Sequence, residues 1–153
     1  MSKTIASGIF IVNKDNEVLI CHPTNHLETL WSIQKGKVDS DENKIEAAIR
    51  ETKEETNIDL KKVDSMIRLG PQKYVHNRKI LYPYLVLETL NPRIDFSSFD
   101  IKCISKVSDD RGDFPEMDDF KWVSFDEAKK LLHYTQVPCI DEIQKTINKL
   151  TTK

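Results

Sequence analysis

The segment from Glu42 to Thr56 constrains the fold of this chain more than any other, because it combines helical periodicity with clustered charge. Its apolar positions fall on one stripe at helical spacing, and they are Ile45, Ala48, Ile49, Thr52 and Thr56. This spacing predicts an amphipathic helix that packs on the protein body. Glu51, Glu54 and Glu55 span only about 100° of the helix circumference and flank the stripe. We therefore expect these carboxylates to lie near the core.

The spacing of the three carboxylates is unfavourable for a helix on its own. Glu51 stands three and four residues before Glu54 and Glu55, and like charges in these relations each destabilise a helix by roughly 0.2–0.5 kcal/mol. A divalent cation would remove the repulsion, and oxygen ligands favour Mg²⁺ or Mn²⁺. A solvated acidic face, partly neutralised by Arg50 and Lys53, is the alternative that this helix alone leaves open.

The residues around this helix follow a specific spacing that extends from residue 36 to residue 58. The matching positions are Gly36, Glu42, Arg50, Glu51, Glu54, Glu55 and Ile58. The pattern resembles the Nudix box, G-x5-E-x7-R-E-U-x-E-E-x-G-U, in which U is an aliphatic residue. Thr52 replaces one aliphatic residue, and Asn57 replaces the closing glycine. Asn is the residue that, after Gly, best tolerates the left-handed conformation expected at this helix C-terminus.

The resemblance implies a fold and a reaction class. The implied fold is of the α+β class, an α/β/α sandwich with a mixed β-sheet, and one domain is expected over residues 1–153. The implied activity is Mg²⁺- or Mn²⁺-dependent hydrolysis of a diphosphate linked to another group. Within that activity, metals would replace a glycine-rich phosphate loop, which this chain with only four glycines lacks.

The resemblance also implies roles for individual residues. Carried over by position, the metal ligands would be Glu51, Glu54, Glu55 and a backbone carbonyl in the Gly36 region. Arg50 would orient Glu51, and Glu42 would steady that arrangement from the first helical turn. The base that accepts the proton of the attacking water stays open between Glu54 and Glu116. Glu116 belongs to an acidic loop over residues 108–119.

Residues outside the box bear on the substrate. The Lys-Gly pair at the start of the box resembles that of dinucleoside polyphosphate and diphosphoinositol hydrolases. The segment 114–117, Phe-Pro-Glu-Met, resembles a loop of RNA 5′-pyrophosphohydrolases and of some diadenosine tetraphosphate hydrolases. A basic segment over residues 73–79, which includes His76, could hold phosphates. The candidate substrate-binding residues are Lys35, Lys37, Lys73, Arg78, Lys79, Tyr82 and Tyr84. The two tyrosines could stack on a base, although packing in the sheet is the commoner role.

These observations predict hydrolysis of a phosphoanhydride in a dinucleoside polyphosphate such as diadenosine tetraphosphate. Two other hydrolase functions stay open, namely a pyrophosphatase for ADP-ribose or nucleoside diphosphate sugars and an RNA 5′-pyrophosphohydrolase. A binding or regulatory module without turnover is a fourth possibility, and the complete set of box carboxylates argues against it. The predicted partner is thus a small nucleotide substrate.

Composition limits the remaining function classes. The 23 basic and 25 acidic side chains give a net charge of -2, whereas general nucleic-acid binders are usually strongly basic, so no stable nucleic-acid complex is expected. Three scattered cysteines without a CxxC pair argue against a disulfide framework or structural zinc site, and they predict a cytoplasmic, reducing environment. No apolar run approaches the roughly 20 residues that span a bilayer. Oligomeric state is not predicted.

Strand and turn signals complete the expected organisation. Strands are predicted at residues 3–12, 17–22, 31–34, 66–69, 80–88, 101–107 and 120–123. The sequence Lys35-Gly36-Lys37 is predicted to form a turn after the third strand. A capping box at Ser124 predicts a second helix, and Pro138 predicts the start of a last helix.

Overall fold

The computed structural model describes residues 3–74 and 78–152, so His76 of the basic segment lies outside the described residues. The strands are β1 (Thr4–Val12), β2 (Glu17–Pro23), β3 (Gln34–Lys37), β4 (Ile67–Arg68), β5 (Gln72–Tyr74), β6 (Lys79–Leu87), β7 (Lys106–Asp109), β8 (Gly112–Pro115) and β9 (Met117–Ser124). The helices are α1 (Lys44–Thr56), α2 (Phe125–Leu131) and α3 (Val137–Thr151).

The central strand β1 is buried along nearly its whole length, as a strand covered on both faces requires. It runs parallel to β6, with Thr4 opposite Lys79 and Val12 opposite Leu87. On its other edge it pairs antiparallel with β3 and, at its end, with β2. The path through the main sheet is β4-β6-β1-β2-β9, and β7 and β8 form a separate hairpin. The predicted mixed sheet is confirmed.

Two apolar clusters lie on the two faces of this sheet. One contains Ala48 of α1, packed with residues such as Ile9 and Val86. The other contains Ala128 of α2 and Ile140 of α3. The predicted α+β fold, with helices on both faces of a mixed sheet, is therefore confirmed. None of the helices in residues 3–74 and 78–152 has the length and apolar character needed to cross a membrane.

Helix α1 begins two residues later than the sequence pattern predicts. Asn43 is the N-cap, because its side chain accepts a hydrogen bond from the backbone N–H of Glu46 while the Glu46 side chain accepts one from the N–H of Asn43. The buried face includes Ala47 and Glu55, so it is turned away from Ile45, which is 45% exposed. The predicted place of Ile45 on the buried stripe is wrong.

The predicted turn at Lys35-Gly36-Lys37 is also wrong. These residues belong to β3 and pair with β1, where Gly36 stands opposite Ser7. The glycine is required by a close approach and not by a turn, since an added Cβ would lie 2.0 Å from the Glu51 carboxyl carbon. The strand thus brings its backbone directly against a carboxylate of α1.

The predicted strand at residues 101–107 is present only from Lys106 onward, at the start of β7. The residues before it use their backbone N–H groups differently. Those of Ile104 and Ser105 donate to the carbonyl of Glu54 at 2.8 and 2.9 Å, and that of Lys102 donates to the carbonyl of Thr56. This segment therefore satisfies the open carbonyls at the end of α1.

Asn57 ends α1 in the left-handed conformation predicted for it, with φ of 68°. Its side-chain Nδ2 donates to the carbonyl of Asp100 at 3.0 Å, and its Oδ1 accepts from Lys53 Nζ at 3.0 Å. We expect Asn57→Ala to lower the free energy of unfolding by about 1–2 kcal/mol, since alanine tolerates positive φ poorly and makes neither bond. Asn57→Gly should cost less, because glycine adopts this φ freely. Equal losses of unfolding free energy in the two variants, measured by urea unfolding, would contradict this prediction.

Candidate active site

Arg50 connects the acidic residues of α1 to the chain before the helix. Its Nη1 lies 2.9 Å from Glu51 Oε2 and 3.0 Å from Glu54 Oε2. Its Nε and Nη2 hold both carboxylate oxygens of Glu42 at 3.1 and 2.7 Å, and Nη2 also donates to the carbonyl of Lys37. The pKa of Arg50 is raised, chiefly by its hydrogen bonds to Glu42, so the guanidinium stays charged. Glu42 precedes α1 and does not lie in its first turn.

Glu51 lies under the backbone of β3 and next to the other acids of the helix. Its side chain is 13% exposed. Burial and then the charge of Glu54 raise its pKa to about 7, against the opposing effect of Arg50. The ionised form of Glu51 is therefore disfavoured, and a further cation beside it would stabilise that form.

Glu55 is the most deeply buried acid of the helix. Its Oε1 accepts from the backbone N–H of Lys35 at 3.2 Å, whereas Oε2 is buried without a hydrogen-bond partner. Burial, followed by the charges of Glu116 and Glu51, raises its pKa well above the ordinary value. A buried unpaired carboxylate oxygen is costly, and a bound cation would remove this cost.

The donor set fits a divalent cation, because three carboxylates adjoin a strand backbone and one of their oxygens has no partner. Carboxylate and carbonyl oxygens are the ligands that Mg²⁺ and Mn²⁺ prefer. Across residues 3–74 and 78–152, however, no three acidic, His or Cys side chains converge tightly enough to enclose an ion as they stand. Arg50 holds Glu51 and Glu54 in this arrangement, so binding would require these side chains to turn.

Glu116, in the connection between β8 and β9, is brought next to the helix carboxylates. Its charge raises the pKa of both Glu51 and Glu55, which places it within electrostatic reach of them. Its Oε1 accepts a hydrogen bond from Ser105 Oγ at 2.9 Å, and its backbone N–H donates to the carbonyl of Ser105. Because residues 104 and 105 are anchored to α1, this loop carboxylate is positioned by the helix itself.

Two of the predicted substrate-binding lysines meet beside the acids. Lys79 Nζ lies 4.9 Å from the centre of the Tyr74 ring, and Lys35 Nζ lies 6.0 Å from the same point. Burial and then the charge of Lys35 lower the pKa of Lys79 to about 8, while Glu55 and Glu51 act in the opposite direction. Two cations held together in this way form a suitable place for a phosphate group.

The other predicted substrate-binding residues are not gathered there. Lys73, Arg78 and the side chain of Lys37 are exposed. Tyr84 is only 6% exposed, and Tyr82 has the Nζ of Lys44, at the start of α1, 4.3 Å from its ring centre. Both tyrosines line a separate cavity whose other walls are Lys44, Arg68, Leu69 and Pro71. The burial of Tyr84 agrees with the sheet packing named as the commoner role, and neither tyrosine lines the cavities that adjoin Lys35.

An aromatic cavity of about 170 Å³ instead adjoins Lys35, and the sequence did not single it out. The rings of Tyr74 and His133 stack with centroids 5.2 Å apart. Gln136 fixes the tyrosine, since its Nε2 donates to Tyr74 Oη at 3.1 Å and to Ser32 Oγ at 3.0 Å. Within the sequence, only the position of Tyr74 before the strand predicted at residues 80–88 pointed toward this cavity, because His133 and Gln136 reach it from beyond α2.

Comparison with known proteins agrees with this geometry. The NUDIX domain family model matches residues 2–143, nearly the whole chain. The chain belongs to the Nudix family. It carries the box residues of Nudix hydrolases, and enzymes of this family generally need divalent metal ions.

Solved Nudix structures share the fold. A binary complex of an Ap4A hydrolase from C. elegans superposes with a TM-score of 0.69 at 23% identity, covering 95% of this chain and 98% of that one. The NUDIX domain of Shewanella oneidensis NrtR, complexed with ADP ribose, superposes with a TM-score of 0.69 at 13% identity. The superposition covers 96% of this chain and 90% of that one. At these identities the likeness establishes the fold.

A similarity to an RNA pyrophosphohydrolase of Pelagibacter ubique (strain HTCC1062) is local. It reaches 39% identity over 51 residues, which is 33% of this chain and 32% of the relative. The match thus spans about a third of the length of that protein.

Proposed function

We propose that this Nudix hydrolase cleaves a phosphoanhydride in a dinucleoside polyphosphate such as diadenosine tetraphosphate. The observation that carries the proposal is the position of Lys35. Its backbone N–H binds the buried Glu55 carboxylate, and its side chain, near Lys79, adjoins the aromatic cavity of Tyr74 and His133. Lys35 would therefore link acids that could bind metal, cations that could bind a phosphate chain and aromatic rings that could hold a base.

In the proposed mechanism, Glu51, Glu54, Glu55 and the backbone at Gly36 would hold one or more Mg²⁺ or Mn²⁺ ions. The bound ions would neutralise the phosphates and lower the pKa of an attacking water. Arg50, fixed by Glu42, orients Glu51 as a positioning residue. Glu54 accepts the proton from the water in our preferred assignment.

Glu116 is the second candidate for that base. It is half-buried, it lies within electrostatic reach of the helix acids, and its Oε1 accepts a hydrogen bond from Ser105 Oγ. The two assignments differ in the expected effect of removing each carboxylate on the pH–rate profile.

A second candidate function is favoured by one observation, the local similarity to an RNA pyrophosphohydrolase. Under this alternative the aromatic cavity of Tyr74 and His133 would hold the first nucleotide of a 5′-phosphorylated RNA. The net charge of -2 counts against a polyanionic partner of this size.

A Mg²⁺-dependent hydrolysis panel with product analysis tests the proposal. It should contain diadenosine polyphosphates, ADP-ribose, nucleoside triphosphates, diphosphoinositol phosphates and triphosphorylated RNA. We expect the highest kcat/KM for a diadenosine polyphosphate. A higher value for ADP-ribose, or for triphosphorylated RNA with release of pyrophosphate, would replace the proposed substrate.

The lowered pKa of Lys79 gives a pH-dependent prediction. Since its pKa is about 8, Lys79 loses its positive charge as pH rises from 7 to 9, so KM for diadenosine tetraphosphate should increase several-fold over this range. The neighbouring charged groups are Lys35, Glu51 and Glu55. Lys79→Arg should flatten this increase because arginine stays protonated, whereas Lys62→Arg, at an exposed site, should not. Steady-state kinetics at each pH decide between these outcomes, and an unchanged slope in Lys79→Arg would reject the role.

A further inference from the structure

The hairpin of β7 and β8 stands apart from the main sheet and carries an apolar face. Val107 and Phe114 are directly opposite in its register, so both side chains project from the same face. Val107 is 39% exposed and Phe114 is half-buried. An apolar pair on an exposed two-stranded hairpin contributes little to the core, which leaves it free to contact a ligand.

This face of the hairpin lines a cavity of about 450 Å³ together with Lys35 and Glu116. Lys35, Pro23 and His26 also line the aromatic cavity of Tyr74 and His133. The two cavities therefore adjoin at Lys35, and each contains an aromatic ring. A ligand that fills both would carry its anionic part across Lys35 and an apolar, planar group at each end.

Arg111 adds a cation to the hairpin cavity. Its guanidinium carbon lies 5.5 Å from the centre of the Phe114 ring, and its Nη2 is held by Asp109 Oδ2 at 2.6 Å. Guanidinium and phenyl groups held in this way provide stacking surfaces that every nucleobase can use.

We propose that the β7–β8 hairpin binds the second nucleobase of a dinucleoside polyphosphate, by stacking on Phe114 beside Arg111. The first base occupies the cavity of Tyr74, and the phosphate chain passes Lys35 and the carboxylates of α1. This inference rests on the proposed function and deepens it, because the hairpin would then select substrates that carry a base at both ends.

The test compares two substrates that share a phosphate chain, diadenosine tetraphosphate with two bases and adenosine 5′-tetraphosphate with one. Since stacking on an aromatic side chain stabilises a bound base, Phe114→Leu should lower kcat/KM for the two-base substrate by about 5- to 150-fold. The same change should alter kcat/KM for the one-base substrate less than twofold. Phe114→Trp, which keeps an aromatic surface, should retain the preference.

The matched control is Ser108→Ala, because Ser108 pairs with Asp113 on the opposite face of the same hairpin. Ser108→Ala should leave kcat/KM unchanged for both substrates. Equal losses on both substrates in Phe114→Leu, or identical behaviour of the Leu and Trp variants, would overturn the inference.

A binding measurement separates this inference from the proposed function. Calorimetry with the methylene-bridged analogue of diadenosine tetraphosphate needs no turnover, and Phe114→Leu should weaken its binding by about tenfold. If the hydrolysis panel favours another substrate while this loss is seen, only the proposed function fails. If the panel favours diadenosine polyphosphates and Phe114→Leu binds the analogue as tightly as the wild type, only the hairpin assignment fails.

Discussion

Glu54→Gln is expected to lower kcat for diadenosine tetraphosphate by about 10²–10⁴-fold, the range associated with loss of a general base. Its unfolding temperature should stay close to that of the wild-type protein. The Glu54 side chain is 36% exposed and bonded to Arg50, which also binds Glu42 and Glu51, so the substitution removes a reacting group without unpairing a buried one. Steady-state kinetics in Mg²⁺ and a thermal melt measure the two quantities.

Asp15→Asn is the control, since Asp15 is an exposed acid in the turn between β1 and β2 and should affect neither quantity. Glu116→Gln distinguishes the two candidate bases. If Glu116 accepts the proton, its substitution removes the acidic limb of the pH–rate profile and costs more turnover than Glu54→Gln. Near-full metal-dependent activity in Glu54→Gln would disprove a catalytic role for this residue.

Glu55→Gln should have opposite effects on stability and on metal response. In metal-free protein it should raise the free energy of unfolding by about 1–3 kcal/mol, because it removes a buried acid whose ionisation is opposed by burial and by the charges of Glu116 and Glu51. A neutral amide still accepts the hydrogen bond from Lys35 N–H through its oxygen. Addition of Mg²⁺ should stabilise the wild-type protein by mass action, and this gain should be lost or strongly reduced in the variant.

The stabilising effect of Glu55→Gln should depend on pH, and the raised pKa of Glu55 gives the direction of that dependence. Burial raises the pKa of Glu55 in the folded state above its value in the unfolded chain, so the unfolded state releases this proton first as pH rises. The contribution of Glu55 to stability therefore falls above the unfolded pKa of about 4.3. The advantage of Glu55→Gln should accordingly grow from pH 4 to pH 7 in chelator. A variant that is less stable than the wild type throughout this range would refute the argument.

Local patterns predicted the box helix and its charges well. The stripe that buries Ala48 and Thr52, and the left-handed end at Asn57, depend on neighbours within one or two turns, so periodicity and capping rules were sufficient. The pattern did not predict the exact rotation of the helix, because packing of Ala47 and Glu55 against the sheet determines which side is buried.

Contacts between distant segments could not be predicted in this way. Gly36 has the sequence signature of a turn, yet pairing with Ser7 makes it part of a strand. Tyr82 and Tyr84 alternate as expected in β6, but which face of the sheet they occupy depends on the parallel register with β1. Likewise, His133 approaches Tyr74 only because α2 returns the chain to the sheet.

The parallel pairing of β1 with β6 links the site to the folding of the whole chain. Helix α1 and β3 lie against β1, whereas Lys79 joins them only when it pairs opposite Thr4. Contacts this far apart in sequence form slowly, because a long loop must close before they contribute any stability. The acidic helix and Lys35 therefore depend on pairings between nearer segments, whereas Lys79 reaches them only through the pairing of β1 with β6. The proposed recognition of phosphate by both lysines thus requires that these two central strands have paired.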